Sequence, residues 1–361
     1  MTEQFFKNRL KVVELASVLA GPAVGMFFAE LGAEVVKIEN KKTGGDMTRS
    51  WKLPSEDSTS PYSAYYASVN WNKQTYLLDL EDTRDREQAY ALLQNSDIVI
   101  SNYRTNVAEK LGVDYPTLSQ INPTLIFAQL NAFDDHSERP AFDVVLQAEA
   151  GFLYMNGEVG GPPVKMPVAL IDVLAAHQLK EGILLALLRR TQTGKGAYVA
   201  TSLFESAVAS LVNQATNWLM ASHIPQRMGT QHPNIAPYGD MYTCSDGKAI
   251  LLAVGTEKQF KNLCQVLDLS EILTQPSFSS NIERVKNRAA LNAILAEKIS
   301  VVEAASLLQQ LEAASVPAAA IRNMQEVFEL AAAQSMILEE TLPDGTVSKR
   351  VKTVAFEIDE G

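Results

Sequence analysis

The stretch Leu10-Lys-Val-Val-Glu-Leu15, followed by Gly21-Pro-Ala-Val-Gly-Met-Phe-Phe-Ala-Glu-Leu-Gly32 and Glu34-Val-Val-Lys-Ile-Glu39, decides the fold. Its first and third pieces are short, β-branched apolar runs and read as buried strands. The middle piece reads as a helix, with proline near its first position, where the missing N–H is not needed, and glycine as its stop. Two strands joined by a helix make a βαβ unit, and the pattern continues. Residues 75–80, 97–101, 124–130 and 197–202 read as strands, and residues 86–95 as a helix. Strands alternating with helices imply a parallel, doubly wound α/β sheet.

A dinucleotide is the obvious ligand for such a sheet, so the glycine fingerprint has to be tested. Gly21-Pro-Ala-Val-Gly25 stands where G-x-G-x-x-G would be required, and Gly25 falls inside the helix rather than beneath a pyrophosphate. Glu39 could mimic a ribose-binding acid, but without that loop it reads as a surface carboxylate. NAD is therefore not expected.

Downstream, residues 174–190 form a long helix that is apolar almost all round and is expected to be deeply buried. Gly194-Lys-Gly196 closes it, and residues 204–221 read as a second apolar helix. From about Arg227 the texture changes to a Gly- and Pro-bearing loop, then two strands (240–244 and 248–254) around Ser245-Asp-Gly247, then short helices over 257–311. The expected organisation is a large domain over 1–224, a smaller α+β domain over 225–325, and a segment over 326–361 that returns to the first.

Composition narrows the function. The chain has 361 residues, 47% of them hydrophobic, enough for a core in each domain. Its formal charge of −11 disfavours nucleic acid or an anionic membrane as partner, because both demand clustered positive charge. No apolar run reaches about 18 residues, and the N-terminus lacks the order of a signal peptide, so a cytoplasmic address is expected. Cys244 and Cys264 have no metal-binding or disulfide spacing and read as ordinary buried thiols, with no metal expected. An anionic ligand would need local cations, for which Lys73, Lys110 and Arg139 are candidates.

The chemistry-bearing position is Asp172, in Pro167-Val-Ala-Leu-Ile-Asp172-Val-Leu-Ala-Ala-His177, where an extended run turns into the long helix. By default an Asp there is an N-cap. The surrounding segments change that reading: Leu10 to Pro22; Leu31-Gly-Ala-Glu-Val-Val-Lys-Ile-Glu39; Gly45-Asp-Met-Thr-Arg-Ser-Trp51; Asn72-Lys73; Asp97-Ile-Val-Ile-Ser-Asn-Tyr103; and Leu187-Leu-Arg-Arg-Thr-Gln-Thr-Gly-Lys-Gly196. In this order they resemble the class III CoA-transferases, the group that includes formyl-CoA and carnitine CoA-transferases. The resemblance covers most of the chain and is strongest over its first half.

The resemblance implies a Rossmann-like large domain, a small domain, and two chains interlocked as a homodimer, with residues 204–221 and the tail after about 325 as linkers. It implies that Asp172 is the nucleophile and that coenzyme A, carried in as acyl-CoA, contacts Val18, Leu19, Leu78, Asp79, Leu80, Glu81, Asn102, Tyr103, Lys110, Arg139, Phe142 and Asp143. Asn40 stands where the family often has a CoA-binding arginine, which leaves Lys41 or Lys42 to substitute. Trp51, Tyr65 and Tyr66 are expected to wall the acyl pocket, as is Tyr238, at the end of the Asn234-Ile-Ala-Pro-Tyr238 stretch that matches the family's glycine-rich loop. That stretch and Leu19, a glutamine in formyl-CoA transferases, argue against formyl-CoA and oxalate as substrates.

The implied reaction moves CoA from an acyl-CoA to a carboxylic acid through an aspartyl-CoA thioester. Backbone amides beside Asp172 or near Gly160-Gly161 would stabilise the oxyanions. His136, His177, His223 and His232 receive no chemical role, and His177 is expected to be partly buried. The alternatives are a 2-methylacyl-CoA racemase of the same fold and a non-catalytic CoA-binding protein. Racemases of this group place a histidine where this chain has Phe142, and a phenyl ring cannot hold a proton.

Overall fold

The computed structural model describes residues 4–134, 137 and 139–358; His136 lies outside them. Six strands, β1 (Lys11–Glu14), β2 (Glu34–Asn40), β3 (Gln74–Leu78), β4 (Ile98–Ser101), β5 (Ile126–Asn131) and β6 (Ala197–Ser202), form one sheet in the order β3-β2-β1-β4-β5-β6. Every pairing is parallel, so the order reverses between β1 and β4. The doubly wound α/β class is confirmed.

Alternation along the strands divides the core. Val12, Ile98 and Ile126 face the fully buried helix Ala20–Glu30 and the long helix Leu170–Thr193, while Val13, Val99 and Phe127 face the opposite layer. The chain separates into two compact units, one of residues 1–153, 165–225 and 334–361, the other of residues 154–164 and 226–333. The second holds the antiparallel strands β7 (Tyr238–Thr243), β8 (Ala249–Ala253) and β9 (Ala318–Ala320) over a core that includes Phe260, Leu263, Leu291, Leu295 and Leu307. Cys244 and Cys264 are buried free thiols in that unit. The hairpin β10 (Ile337–Thr341) and β11 (Val347–Val351) belongs to the first unit, where Glu340 accepts the Asn72 N–H at 3.1 Å. Among the described residues no helix is long and apolar enough to cross a membrane.

Four expectations need correction. Pro22 is the third helical residue, since the first helix begins at Ala20. Glu39 is buried: Arg49 grips its carboxylate at 2.7 and 2.9 Å, and Tyr66 Oη donates to it at 2.8 Å. The long helix buries one face only, leaving Leu185 68% and Leu188 59% exposed. The helix expected over 204–221 is two, Leu203–Ala209 and Val212–Ala221, with Val212 at φ +46°. Ser206 and Ser210 donate back to the carbonyls four residues earlier, at 2.7 and 2.8 Å, which competes with the helical ladder at the break.

Candidate active site

Loops leaving β1, β4 and β5 meet where the strand order reverses, the place where open α/β sheets bind ligands. Residues 17–20 after β1, residues 102–105 after β4 and residues 130–132 at the end of β5 surround a cleft of about 380 Å³, together with Met47, Ser137, residues 139–142 and Leu203. Asp172 lines the same cleft.

Asp172 is not an N-cap. It is the third residue of the Leu170–Thr193 helix, whose N-cap, Ala169, has no side chain to offer. The cap is supplied from outside. Asp143, first residue of the helix Asp143–Glu149, accepts the Ile171 N–H at 2.7 Å and the Asp172 N–H at 3.3 Å on Oδ1. Gln147, one turn later, donates to Asp143 Oδ2 and accepts the Met166 N–H at 2.9 Å, so both carboxylates are registered against one backbone. Asp172 itself is only 7% exposed, and its side chain has no hydrogen-bond or ion-pair partner among the described residues. Burial, reinforced by the like charge of Asp143, pushes its carboxyl up to about 7. Tyr65 feels the same field: burial, then the charges of Asp172, Asp143 and Asp46, pushes its phenol up to about 12. Its ring meets Trp51 edge-on at 5.0 Å, and Trp51 meets Phe142 at 6.2 Å, giving an aromatic group next to the carboxylates.

The loop after β1 is held by side chains rather than by a sheet ladder. Asn102 closes a reciprocal pair with Ser17, accepting its N–H at 3.2 Å and donating to its carbonyl at 2.9 Å. Val18 sits at φ +73°, a conformation that β-branched residues rarely adopt, and its N–H reaches Asp46 Oδ2 at 3.1 Å. Asp46 faces the wholly buried Lys37 at 3.2 Å, Lys37 meets Glu14 at 2.6 Å, and Lys73 meets the other Glu14 oxygen at 2.7 Å. Burial would pull Lys37 down, but Glu14 and Asp46 more than offset it, so Lys37 lies above its ordinary value. Burial dominates at Lys73 and lowers it to about 8 despite Glu14.

The amides of residues 170–173 are all engaged, with Val168, Asp143 and Ala169 as acceptors, and the Gly161 N–H is spent on Glu158 in the second unit. Among the described residues, the N–H groups of Leu19 and Ala20, at the start of the first helix, have no acceptor.

Of the other expected contacts, Val18, Leu19, Asn102, Tyr103, Arg139 and Phe142 line the cleft, with Arg139 bound to Glu149 at 2.8 Å. Leu78 and Leu80 bury their side chains in the core. Asp79 and Glu81 form an exposed cluster with Lys42 and Lys110, in which Glu81 takes both lysines at 2.7 Å. Asn40 accepts the Lys42 N–H at 2.9 Å, capping the turn that carries that lysine. Tyr66 is 3% exposed and bonded to Glu39, so it is not a pocket wall. Tyr238 starts β7 in the second unit, where its N–H meets Asp240 and its ring packs on His232 at 5.3 Å. His177 lies on the exposed face of its helix, where the burial that remains lowers its imidazole from the ordinary value. Sequence reasoning missed Arg104, which follows Asn102-Tyr103 and lines the cleft, and gave Asp46 no role. Asp46-Met-Thr48 carried a legible signal, since Asp with Thr two residues on is a turn-capping pair, and Asp46 does accept the Thr48 N–H at 3.0 Å.

Comparison with known proteins agrees with this geometry. Residues 8–360 match CoA-transferase family III. The chain is 33% identical to the succinate–glutarate CoA-transferase of Agrobacterium fabrum, over 95% of this chain and 87% of that one. It is 32% identical to the succinyl-CoA:mesaconate CoA-transferase of Haloarcula marismortui, over 89% and 81%. The crystal structure of a CaiB/BaiF family protein from Brucella suis superposes with a TM-score of 0.84 at 34% identity, covering 97% of this chain and 92% of that one. A doubly wound sheet, a buried carboxylate at its switch point and a match along nearly the whole length lead to one conclusion: the chain belongs to CoA-transferase family III and is a CoA-transferase.

Proposed function

We propose that this enzyme moves CoA between dicarboxylic acids of four to five carbons, with Asp172 as the nucleophile. The observation that carries the proposal is the Asp172 carboxylate: buried, raised to about 7, without a side-chain partner among the described residues, and lining the switch-point cleft. A desolvated carboxylate of that basicity is a better nucleophile than a hydrated one, yet still ionises near neutral pH. The substrate size rests on the names of the two relatives given above, which act on succinate, glutarate and mesaconate.

The steps balance without a cofactor change. An Asp172 oxygen attacks the acyl-CoA carbonyl, the C–S bond breaks, and CoA leaves as thiolate, giving a mixed anhydride. The thiolate attacks the aspartyl carbonyl and expels the first acid, giving an aspartyl-CoA thioester. A second carboxylate attacks that thioester, CoA leaves again, and its attack on the acceptor carbonyl releases the new acyl-CoA and regenerates the Asp172 carboxylate. Each tetrahedral oxyanion needs a fixed donor, and the free amides of Leu19 and Ala20 are the groups we assign to it. Asn102, Tyr103 and Arg104 are suited to the pantetheine and phosphate portions, and the Lys42–Lys110 cluster to the nucleotide end. A homodimer completes the proposal. Leu219 and Met220 are 79% and 84% exposed, apolar surface of the kind that a partner subunit covers.

Incubation with succinyl-CoA followed by hydroxylamine tests the nucleophile. The modified peptide is expected to contain Asp172, and Asp172→Ala is expected to lower transfer to glutarate by at least about a thousandfold. A label on another residue, or a variant that retains turnover, would refute the assignment.

A further inference from the structure

Four ionised side chains buried under the cleft take no part in the proposed chemistry: Glu14, Lys37, Asp46 and Lys73. Their side chains are almost wholly enclosed, at 0%, 0%, 0% and 1% exposure. Buried ion pairs are poor stabilisers, since desolvation offsets most of their attraction, and apolar replacements are often neutral or better. What these four touch besides one another gives them a purpose. Lys37 Nζ donates to the Ala16 carbonyl at 2.7 Å, Asp46 accepts the Val18 N–H at 3.1 Å, and Lys73 Nζ donates to the Pro22 carbonyl at 2.8 Å. The loop after β1 is thus gripped before and after Leu19 and Ala20, which line the same cleft as Asp172 and whose N–H groups have no acceptor among the described residues. Gly25 makes the grip possible, because a Cβ there would lie 2.0 Å from a Glu14 oxygen.

We propose that this buried tetrad is a positioning device for the reaction: through Asp46 it holds Val18 in the left-handed conformation that leaves the Leu19 and Ala20 amides free at the cleft. The proposal rests on the reading of those amides as oxyanion donors. Val18 is where the device can be tested, because its φ of +73° is costly for a β-branched residue and free for glycine. Asparagine at 46 keeps the shape, but with its oxygen toward Thr48 it turns an NH2 toward the Val18 N–H and the Lys37 ammonium. It can no longer impose the conformation.

The experiment is a double-mutant cycle on the full chain, with Asp46→Asn made in the natural background and in the Val18→Gly background. Steady-state transfer from succinyl-CoA to glutarate and urea denaturation are both measured. In the natural background Asp46→Asn is expected to lower kcat about tenfold with little change in KM, and in the Val18→Gly background by less than about threefold, because the conformation no longer has to be enforced. Loss by the same factor in both backgrounds overturns the device and leaves the transferase reading intact. Should the natural protein show no transfer at all, that reading fails instead. The denaturation midpoints then decide the device, which requires a smaller shift from Asp46→Asn in the Val18→Gly background; equal shifts overturn it. If Asp46→Asn does not fold, Thr48→Val, which takes one hydrogen bond from the same carboxylate at constant volume, supplies the milder arm of the same cycle.

Discussion

At the residue scale, the raised Asp172 carboxyl makes opposite demands on activity and on stability. In the proposed role of nucleophile it must be ionised, so kcat/KM is expected to rise with pH and reach a plateau above about 7. Asp143→Asn keeps an oxygen to accept the Ile171 and Asp172 amides but removes the like charge, and is expected to move that ascending limb to lower pH. A limb near the ordinary carboxylate range in the natural protein would contradict the burial argument. For stability the sign is reversed. The folded state holds the Asp172 proton up to about 7 and the unfolded state releases it near 3.8, so stability falls as pH rises between those values. Asp172→Asn is therefore expected to be the more stable protein at pH 8, by a few kcal/mol with a ceiling of about 4, and to match the parent near pH 4. Urea denaturation at the two pH values measures it. The sequence pointed to Asp172 by its neighbours, but the cap from Asp143, 29 residues away, was not legible, because nothing local links the two.

At the scale of elements, the six strands of the parallel sheet were legible to within one or two residues, because buried parallel strands are β-branched runs bounded by polar residues, whereas β9, β10 and β11 were not read as strands. The helix over 204–221 was misread because apolar periodicity carries no sign of serines that bond back onto their own turn. The first helix shows a different limit. Gly25 was read only as a residue inside the helix and not beneath a pyrophosphate, whereas it makes room for the Glu14 carboxylate and Lys73 lies 3.3 Å from where its Cβ would be. In a helix interior, Gly to Ala ordinarily stabilises by about 1 kcal/mol. Here Gly25→Ala is expected to destabilise by at least about 2 kcal/mol, by forcing Glu14 off two ammonium groups, and thermal denaturation gives the sign directly. A stabilised variant would mean that the tetrad yields easily.

At the scale of the whole molecule, the exposed Leu185 and Leu188 of the Leu170–Thr193 helix and Trp218, Leu219 and Met220 of the Val212–Ala221 helix lead to a prediction about assembly. Sedimentation is expected to give twice the chain mass at low micromolar concentration. Leu219→Glu with Met220→Glu is expected to shift the protein toward monomer or lower its melting temperature. A natural chain that sediments as a folded, active monomer would remove the homodimer. The alternation of strands and helices along the chain was enough to determine a doubly wound sheet, and the order of short motifs ending at Asp172 was enough to determine the family. Both are local or sequential patterns, and they survive without knowledge of contacts. Only the tertiary structure decided that Asp143 caps the helix that carries Asp172, that Glu39 is buried, and that Glu14, Lys37, Asp46 and Lys73 converge beneath the loop after β1. Those relations join residues brought together by the parallel order β3-β2-β1-β4, and burial, which sets the basicity of Asp172, belongs to the packed fold rather than to any stretch of sequence.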